Sequence, residues 1–311
     1  MSTGESRSWR VVWSGTGTCR DLAELLADDR AMRSGKDTMA TLIETRATLQ
    51  VTSHLPSLER CSVAVPHNVI LDAVDQVVAT VGGGPHSLLA AETARRAAQR
   101  LGVPGRIVTG YRRPDQRPAA LRALADVAAG GIDLPMTAVR AEHPIDLVAS
   151  LPAGAMVVVG APGGSWFQRQ FFGPGVRLRV AAPGGVVVVR QDALRVYQVM
   201  SPPRAVGNHM RIRNVLEVAT APVVLVADHG RLTGTVRRSE LLAHPPHVEV
   251  GAVADPPVAV AADEPVDHIW LVLDEHSGGP VGVVTRTGRL VGSITATDLT
   301  ATLPQDTEKA S

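Results

Sequence analysis

The sequence predicts a doubly wound α/β domain followed by a smaller α+β module that contains two copies of one unit. The α/β domain is indicated by short apolar runs that alternate with helical segments between residues 71 and 191. The module is indicated by a segment that occurs twice, at residues 230–241 and again at 288–299, which is an offset of 58. A shorter similarity, between residues 202–206 and 256–260, precedes the two copies at an offset of 54.

The α/β domain, residues 71–191, is predicted to hold a mostly parallel, five-stranded sheet. Its strands are rich in valine and continuously apolar, which is typical of a sheet that helices cover on both faces. Strands are expected at residues 77–81, 106–109, 134–139, 156–159 and 186–189. Helices are expected at residues 88–101, 118–129, 144–150 and 175–182, the first capped by Ser87 and closed by Gly102.

Residues 1–70 carry no recognisable motif and are left as an unassigned N-terminal segment. A strand is expected at residues 10–13 and helices at 20–32 and 37–49, the latter with Met39, Ile43 and Ala47 on one stripe. At the other end, residues 304–311 are polar and are expected to be disordered.

The repeated module covers residues 192–303, with its two copies at about 195–243 and 250–301. A unit of this length buries too little apolar surface to fold alone, so the two copies are expected to pack on each other. Such packing creates a pseudo-twofold axis and two related clefts. Because the offsets of 58 and 54 differ by four, the first copy is expected to lack about one helical turn.

Composition excludes several classes of protein. Lys and Arg number 31 against 30 Asp and Glu, and only 3% of residues are aromatic, which disfavours a nucleic-acid partner. The two cysteines have no metal or disulfide spacing, which predicts a cytoplasmic protein. No apolar stretch approaches the ~20 residues that span a bilayer, so no membrane insertion is expected. The pair His244 and His247 is interpreted as a loop, and no metal is expected.

Two glycine-rich loops follow predicted strands, at the sheet edge where doubly wound domains bind ligands. The first is 82–84, with Gly83 at its centre. The second has the spacing Gly160-x2-Gly163-x9-Gly173. Glycines at such positions let backbone N–H groups approach a phosphate. Ordinary tight turns between strand and helix are the alternative interpretation.

Residues 75–190 resemble the universal stress protein family, whose fold is like that of the adenine nucleotide alpha hydrolases. Its nucleotide-binding members carry Gly-x2-Gly-x9-Gly-Ser/Thr after the fourth strand, and all three glycines of this spacing match. The resemblance implies ATP binding at this loop. However, Gly82 stands where the family has an aspartate, and Pro174 replaces the hydroxyl residue and removes an N–H group. We therefore predict weak or absent ATP binding in the α/β domain.

The repeated module resembles the tandem cystathionine-β-synthase (CBS) domain, or Bateman module, over residues 195–300. The family's strand–helix ending is Gly-x-x-Thr/Ser-x-x-Asp, and Gly292, Thr295 and Asp298 match it. The resemblance implies that Thr295 and Asp298 hold the phosphate and ribose of an adenosyl ligand, and Thr297 is assigned to the same site. A simple helix cap is the alternative role for Asp298.

The first copy departs from this ending at two of its three positions. It offers Gly234, Arg237 and Glu240 where the second copy has glycine, threonine and aspartate. Arg237 is interpreted as a solvated arginine rather than as a phosphate ligand. The second copy is therefore the preferred candidate site.

These observations predict a regulatory or stress-response protein that is not an enzyme. The expected ligand is AMP, ADP or ATP, bound first in the CBS cleft and second in the α/β crevice, with an unknown protein effector. A homodimer or larger assembly is expected, paired through the last α/β strand at 186–189. Two alternatives stay open: a ligand-free dimerisation scaffold, and a slow ATPase or phosphotransfer enzyme built on the α/β crevice.

Overall fold

The computed structural model of the chain describes residues 8–56, 60–142, 146, 151–161, 182, 184–276 and 279–301. The chain divides into two compact units, Met1–Asp192 and Ala193–Ser311. The predicted helices at 144–150 and 175–182 and the predicted disordered tail lie wholly or mostly outside the described residues.

The first unit contains one sheet with the strand order β2-β1-β3-β4-β9-β8-β5-β6-β7 among the described residues. Its strands are β1 Val11–Trp13, β2 Met32–Arg33, β3 Leu49–Val51, β4 Ser62–His67, β5 Gln76–Thr80, β6 Gly105–Tyr111, β7 Met136–Arg140, β8 Ala155–Gly160 and β9 Val186–Arg190. The helices are α1 Gly17–Leu26, α2 Thr38–Thr45, α3 Pro85–Leu101 and α4 Arg117–Ala129, with short 3-10 turns at Leu71–Ala73 and Pro114–Gln116.

The prediction of a five-stranded sheet was wrong in the number of strands. The five predicted strands are β5 to β9, and they are adjacent in the sheet. The other four strands come from the segment that was left unassigned. Every described pairing in the sheet is parallel except that of β4 with β9, which is antiparallel. The result is a large mixed sheet rather than a small parallel one.

The antiparallel pair β4 and β9 joins two halves of the unit that share one strand order. Outward from this junction the N-terminal half has the order β4, β3, β1, β2, and the C-terminal half has the order β9, β8, β5, β6, β7. In both halves the last strand of the half comes first, followed by the next-to-last, the first and the second. The N-terminal half is therefore a shortened version of the C-terminal half. Since β9 has β8 on one side and β4 on the other, the prediction that residues 186–189 form a dimer edge was wrong. The chain itself occupies that edge, and dimer formation by another surface stays a prediction.

The start of α3 differs from its prediction. Ser87 was expected to cap a helix that begins at residue 88, whereas α3 begins at Pro85, whose fixed backbone angle suits the first helical position. The Ser87 hydroxyl instead accepts a hydrogen bond from Gly82 N–H at 3.2 Å and donates one to Gly83 O at 3.0 Å. The predicted closing glycine is confirmed, since Gly102 adopts a left-handed conformation with φ 69°.

We expect the stability of the first unit to fall as pH drops, because of His86. Its Nδ1 accepts a hydrogen bond from Gln191 N–H at 3.1 Å, which requires an unprotonated nitrogen, and burial lowers the pKa of His86. In the unfolded chain His86 binds a proton near pH ~6.5. Its contribution to the free energy of unfolding is therefore fully present above that pH and decreases below it. Urea denaturation at pH 5.5 and pH 8 measures this slope. His86→Asn keeps an acceptor and should flatten the slope, and an unchanged slope would assign it to another group.

The second unit consists of two three-stranded sheets with matching topology. The first contains β10 Ala205–Gly207, β11 Val223–Asp228 and β12 Arg231–Arg237, and the second β13 Ala259–Ala261, β14 Val281–Val284 and β15 Leu290–Ile294. In each sheet the first pair is parallel and the second antiparallel. The helices are α5 Val196–Val199, α6 Ile212–Val218, α7 Arg238–Leu241, α8 Trp270–Glu275 and α9 Ala296–Thr300, with 3-10 turns at Val250–Ala252 and Val266–His268.

The length difference between the copies lies where a helical turn was expected to be missing. In the first copy β10 starts at Ala205 and β11 at Val223, whereas in the second copy β13 starts at Ala259 and β14 at Val281. The second interval is therefore longer by four. The intervening chain is the single helix α6 in the first copy, and a 3-10 turn followed by α8 in the second.

Isolated bridges between the two copies follow the pseudo-twofold relation. Ser201 bridges Ser293, and the equivalent pair Asp255 and Thr235 forms the equivalent bridge. Arg231 bridges Arg289, which is its own counterpart in the other copy. A contact between equivalent residues places the pseudo-twofold axis between the two hairpin turns. In each copy, the residues that precede the first strand therefore pair with the last strand of the other copy.

Candidate functional site

The second unit contains a cleft of about 570 Å³ between its two copies. The second copy contributes the end of β15 and the start of α9, and the first copy contributes its N-terminal residues and the chain from α6 to β11. Together these walls are Ser201, Pro203, Arg204, Ala205, Val206, Val218, Ala219, Thr220, Ala221, Pro222, Val223, Val224, Pro280, Ser293, Thr295 and Asp298.

The carboxylate of Asp298 is fixed at the start of α9. Its Oδ2 accepts hydrogen bonds from Thr295 N–H at 2.8 Å and from the Thr295 hydroxyl at 2.6 Å. Asp298 N–H in turn lies 3.3 Å from Thr295 Oγ1, which completes a capping box. The helix-cap role that the sequence left open is therefore present. It also holds both side chains at the wall of the cleft.

The other carboxylate oxygen connects the two copies. Asp298 Oδ1 accepts a hydrogen bond from the Ser201 hydroxyl at 2.9 Å. Ser201 reaches this position because its backbone pairs with Ser293 on β15. Gly292 permits the approach, since a Cβ there would lie 2.4 Å from Met200 Sδ and 2.9 Å from Ser201 O. Gly292 therefore supports the site from behind and does not line it.

The cleft combines apolar walls with one carboxylate, one guanidinium and several hydroxyl groups. The walls from the first copy are mostly valine, alanine and proline. Arg204 is exposed beside the cleft and has no ion-pair partner among the described residues. A carboxylate can accept hydrogen bonds from two hydroxyl groups, and an arginine can pair with an anion. This donor set suits a ligand that carries both hydroxyl groups and a negative charge.

Two of the four residues assigned to this site lie in the cleft. Thr295 and Asp298 line it, Gly292 lies behind it, and Thr297 has an exposed side chain and is not among the lining residues. The sequence analysis missed Ser201, because it occupies the opposite copy. The similarity at residues 202–206 was the available signal, since a pseudo-twofold axis places that segment against β15.

The equivalent residues of the first copy form a closed pair. Glu240 Oε2 accepts a hydrogen bond from Arg237 N–H at 3.2 Å, and Arg237 Nη1 lies 3.6 Å from Glu240 Oε1. This reproduces the capping geometry of Thr295 and Asp298, but an arginine side chain replaces the hydroxyl. Neither residue is among those that line the 570 Å³ cleft.

The glycine positions predicted in the first unit are only partly described. Gly160 is the last residue of β8 and is buried, whereas Gly163, Gly173 and Pro174 lie outside the described residues. Gly83 adopts φ 91°, and a Cβ there would meet nothing within 4 Å, so backbone conformation and not crowding favours glycine. The resemblance to the universal stress protein family stays a prediction.

No metal-binding group was found among the described residues, in which no three His, Cys, Asp or Glu side chains are arranged to hold an ion. The same residues contain no helix with the length and apolar character needed to cross a bilayer. Both cysteines, Cys19 and Cys61, are buried and form no disulfide.

Comparison with known proteins matches residues 250–304 to the family model of the CBS domain. Similar solved structures include the CBS-pair domain of a putative Mg²⁺ transporter from Shewanella oneidensis MR-1, with 18% identity, TM-score 0.32 and coverage of 35% of this chain and 69% of that one. A second is CBSX2 in complex with AMP, with 21% identity, TM-score 0.32 and coverage of 34% and 93%. A third is the CBS domains of a transcriptional regulator from Streptococcus pneumoniae, with 16% identity, TM-score 0.33 and coverage of 35% and 99%.

The comparison with curated proteins found no match. The family model covers β13, β14, β15 and α9, which are the elements that carry Thr295 and Asp298. Residues 250–304 are therefore a CBS domain, and a second copy of the same strand and helix order precedes it.

Proposed function

We propose that the protein is a regulatory protein without catalytic activity that binds an adenine nucleotide in the cleft of its second unit. The observation that carries this proposal is the convergence of Asp298, Thr295 and Ser201 on one cleft, within a domain whose family model is that of CBS. In this proposal the Asp298 carboxylate accepts the ribose hydroxyls, and the apolar wall of the first copy covers the base.

The exchange of hydrogen bonds at Asp298 connects ligand binding to the packing of the two copies. A ribose hydroxyl that approaches Oδ1 competes with the Ser201 hydroxyl, which belongs to the first copy. Binding would then loosen or reorient the N-terminal residues of that copy. Such a change regulates a partner only if the ligand binds the two arrangements with different affinity.

The ligand-free scaffold is the second candidate, and one observation favours it. The Asp298 carboxylate already accepts three hydrogen bonds within the protein, so its polar atoms are satisfied without a ligand. In addition, the first copy has neither the threonine nor the aspartate of this ending. The two candidates differ in whether any adenosyl compound binds at all.

A thermal-shift panel of the full chain with AMP, ADP, ATP and S-adenosylmethionine separates these candidates. We expect at least one nucleotide to raise Tm in a saturable manner, because a ligand at 100 times its Kd adds about 2.7 kcal/mol to the stability of the native state. The shift at the same nucleotide concentration should be clearly smaller in Asp298→Asn. If none of the four compounds shifts Tm at millimolar concentration, the scaffold is correct.

A further inference from the structure

Arg204 is the one cation among the described residues that line the cleft of the second unit. Its side chain is exposed and makes no hydrogen bond, ion pair or ring contact with the described part of the chain. Asp298 is the one anion in the same lining, so the charges of the described lining sum to zero. An anionic group of a ligand therefore finds a single cationic partner there, and that partner is not already engaged.

The hydroxyl groups of the lining, in contrast, are mostly engaged within the protein. A serine or threonine hydroxyl has one proton to donate. Thr295 and Ser201 donate theirs to the Asp298 carboxylate, at 2.6 and 2.9 Å. Ser293 donates its proton to Pro202 O at 3.3 Å. Each of these hydroxyls must give up a bond within the protein before it can donate to a phosphate oxygen.

This arrangement changes the role that the family resemblance implies for Thr295. A phosphate that takes the proton of the Thr295 hydroxyl would break its bond to Asp298, which belongs to the cap of α9. Arg204 offers several N–H donors on one planar cation, and its bonds to phosphate are charge-assisted. The fourth lining hydroxyl, Thr220, is exposed and carries no charge. The phosphate is therefore expected at Arg204 rather than at Thr295.

The backbone holds Arg204 close to the residues that would bind the ribose. Three residues earlier, Ser201 pairs with β15 and donates to Asp298. The residue after Arg204 is Ala205, which pairs with β11. The two residues between Ser201 and Arg204 are prolines, whose backbone angle is restricted. Since the chain advances at most about 10 Å over three residues, the long arginine side chain can reach the 5′ position of a ribose held by Asp298.

Given the nucleotide site proposed above, on which this step rests, we propose that Arg204 binds the 5′-phosphate and makes the cleft selective for 5′-phosphorylated nucleosides. S-adenosylmethionine carries a sulfonium cation at the same 5′ position, and this charge would face the guanidinium. Its carboxylate is several bonds further from the ribose. Adenosine has a neutral hydroxyl at this position and forms no ion pair. AMP should therefore bind more tightly than either compound.

The test is isothermal titration calorimetry of the full chain with AMP, adenosine and S-adenosylmethionine. We expect the parent to bind AMP about three- to fivefold more tightly than adenosine, the value of an ion pair that is open to solvent. Arg204→Gln should bring the ratio of the two affinities close to one. Added NaCl should weaken the binding of AMP to the parent and leave that of adenosine unchanged, because salt screens the exposed pair.

Arg213→Gln is the matched control, since Arg213 is an exposed arginine on α6 that does not line the cleft. It removes the same charge from the same unit and should keep the ratio of the parent. Thr295→Val tests the other phosphate partner. It should weaken AMP and adenosine by the same factor, because it disturbs Asp298 and not Arg204, and so should also keep the ratio.

The outcomes separate the role of Arg204 from nucleotide binding itself. If AMP binds but Arg204→Gln keeps the ratio of the parent, or if S-adenosylmethionine binds as tightly as AMP, Arg204 does not select the phosphate, whereas the cleft still binds a nucleotide. Loss of the ratio in Thr295→Val alone would assign the phosphate to Thr295. If neither AMP nor adenosine binds the parent, the proposed function is wrong, and the role of Arg204 is wrong with it.

Discussion

Arg96→Ala is expected to destabilise the first unit by about 1.5–3 kcal/mol, the value of hydrogen bonds from a charged group that is itself largely buried. Arg96 is 8% exposed on α3. It pairs with Asp28, donates from Nε to Leu26 O at 2.5 Å, and lies 5.3 Å from the centre of the Trp9 ring. Its removal takes the guanidinium away from the carbonyl of Leu26 and from the carboxylate of Asp28, which keeps its hydrogen bond from Trp9 N–H.

The same cluster joins the two halves of the unit through side chains. Trp9 and Asp28 flank β1 and α1, whereas Arg96 lies on α3. Trp9 N–H donates to Asp28 Oδ2 at 2.6 Å, and Trp9 Nε1–H donates to Glu92 Oε1 at 3.1 Å. We therefore expect Arg96→Ala to loosen α1 together with α3, which hydrogen–deuterium exchange of the two helices would show.

Asp28 adds a pH dependence to this prediction. Burial raises the pKa of Asp28, but hydrogen bonds from Trp9 N–H and Arg96 and the charge of Arg96 outweigh it, so the pKa lies below its ordinary value. A lowered folded pKa contributes stability that is present above the ordinary pKa and is lost as pH falls through the folded value. Arg96→Ala should therefore weaken the loss of stability in acid.

Arg95→Ala is the matched control for this prediction. Arg95 is the next residue of α3, and its side chain makes a 3.4 Å contact from Nη1 to Gln99 Oε1 on the exposed side. Its replacement should change the free energy of unfolding by less than about 0.5 kcal/mol, as is usual for surface positions. If urea denaturation gives the same midpoint for Arg96→Ala and Arg95→Ala, the cluster does not hold the halves together.

The sequence predicted the elements whose signals are local. Strands β5, β8 and β9 are continuous apolar runs, and α3 has an apolar stripe and a closing glycine, so periodicity and end signals were sufficient. The repeated module was equally predictable, because two copies of one segment imply one fold twice. Its bridges at Ser201 and Asp255 follow from that symmetry.

The N-terminal half was not predictable for physical reasons. Its strands β1, β2 and β3 have two or three residues each, too few to show a period of two. The strand β4 contains Pro66, which argues against a central strand, but β3 pairs only with residues up to Ala64. The antiparallel contact of β4 with β9 joins segments that are distant in the sequence, and no local signal encodes it.

The residues of the candidate site were likewise predictable only where the signal is local. Thr295 and Asp298 belong to one short segment and could be found from spacing. Ser201 is 97 residues from Asp298 and belongs to the other copy, so it could be found only from the topology.

Asp298→Ala is expected to weaken adenine-nucleotide binding by about 1.5–3 kcal/mol, which corresponds to the loss of charge-assisted hydrogen bonds. The substitution also removes the cap of α9, which costs roughly 1 kcal/mol of stability. Asp298→Asn separates these effects, because its amide oxygen can still accept from Thr295 while the charge is lost. Calorimetry of the parent and both variants with the nucleotide that gives the largest thermal shift measures the affinity.

Glu240→Ala provides the control that decides between a ligand-binding and a purely structural Asp298. Glu240 is the counterpart of Asp298 in the first copy, accepts the equivalent bond from Arg237 N–H at 3.2 Å, and lies outside the cleft-lining set. A helix cap and a nucleotide ligand predict different patterns. If both aspartate and glutamate only cap helices, both alanine variants lose similar stability and neither loses affinity. If Asp298 holds the ribose, Asp298→Ala loses affinity and Glu240→Ala does not, because only Asp298 faces the cleft.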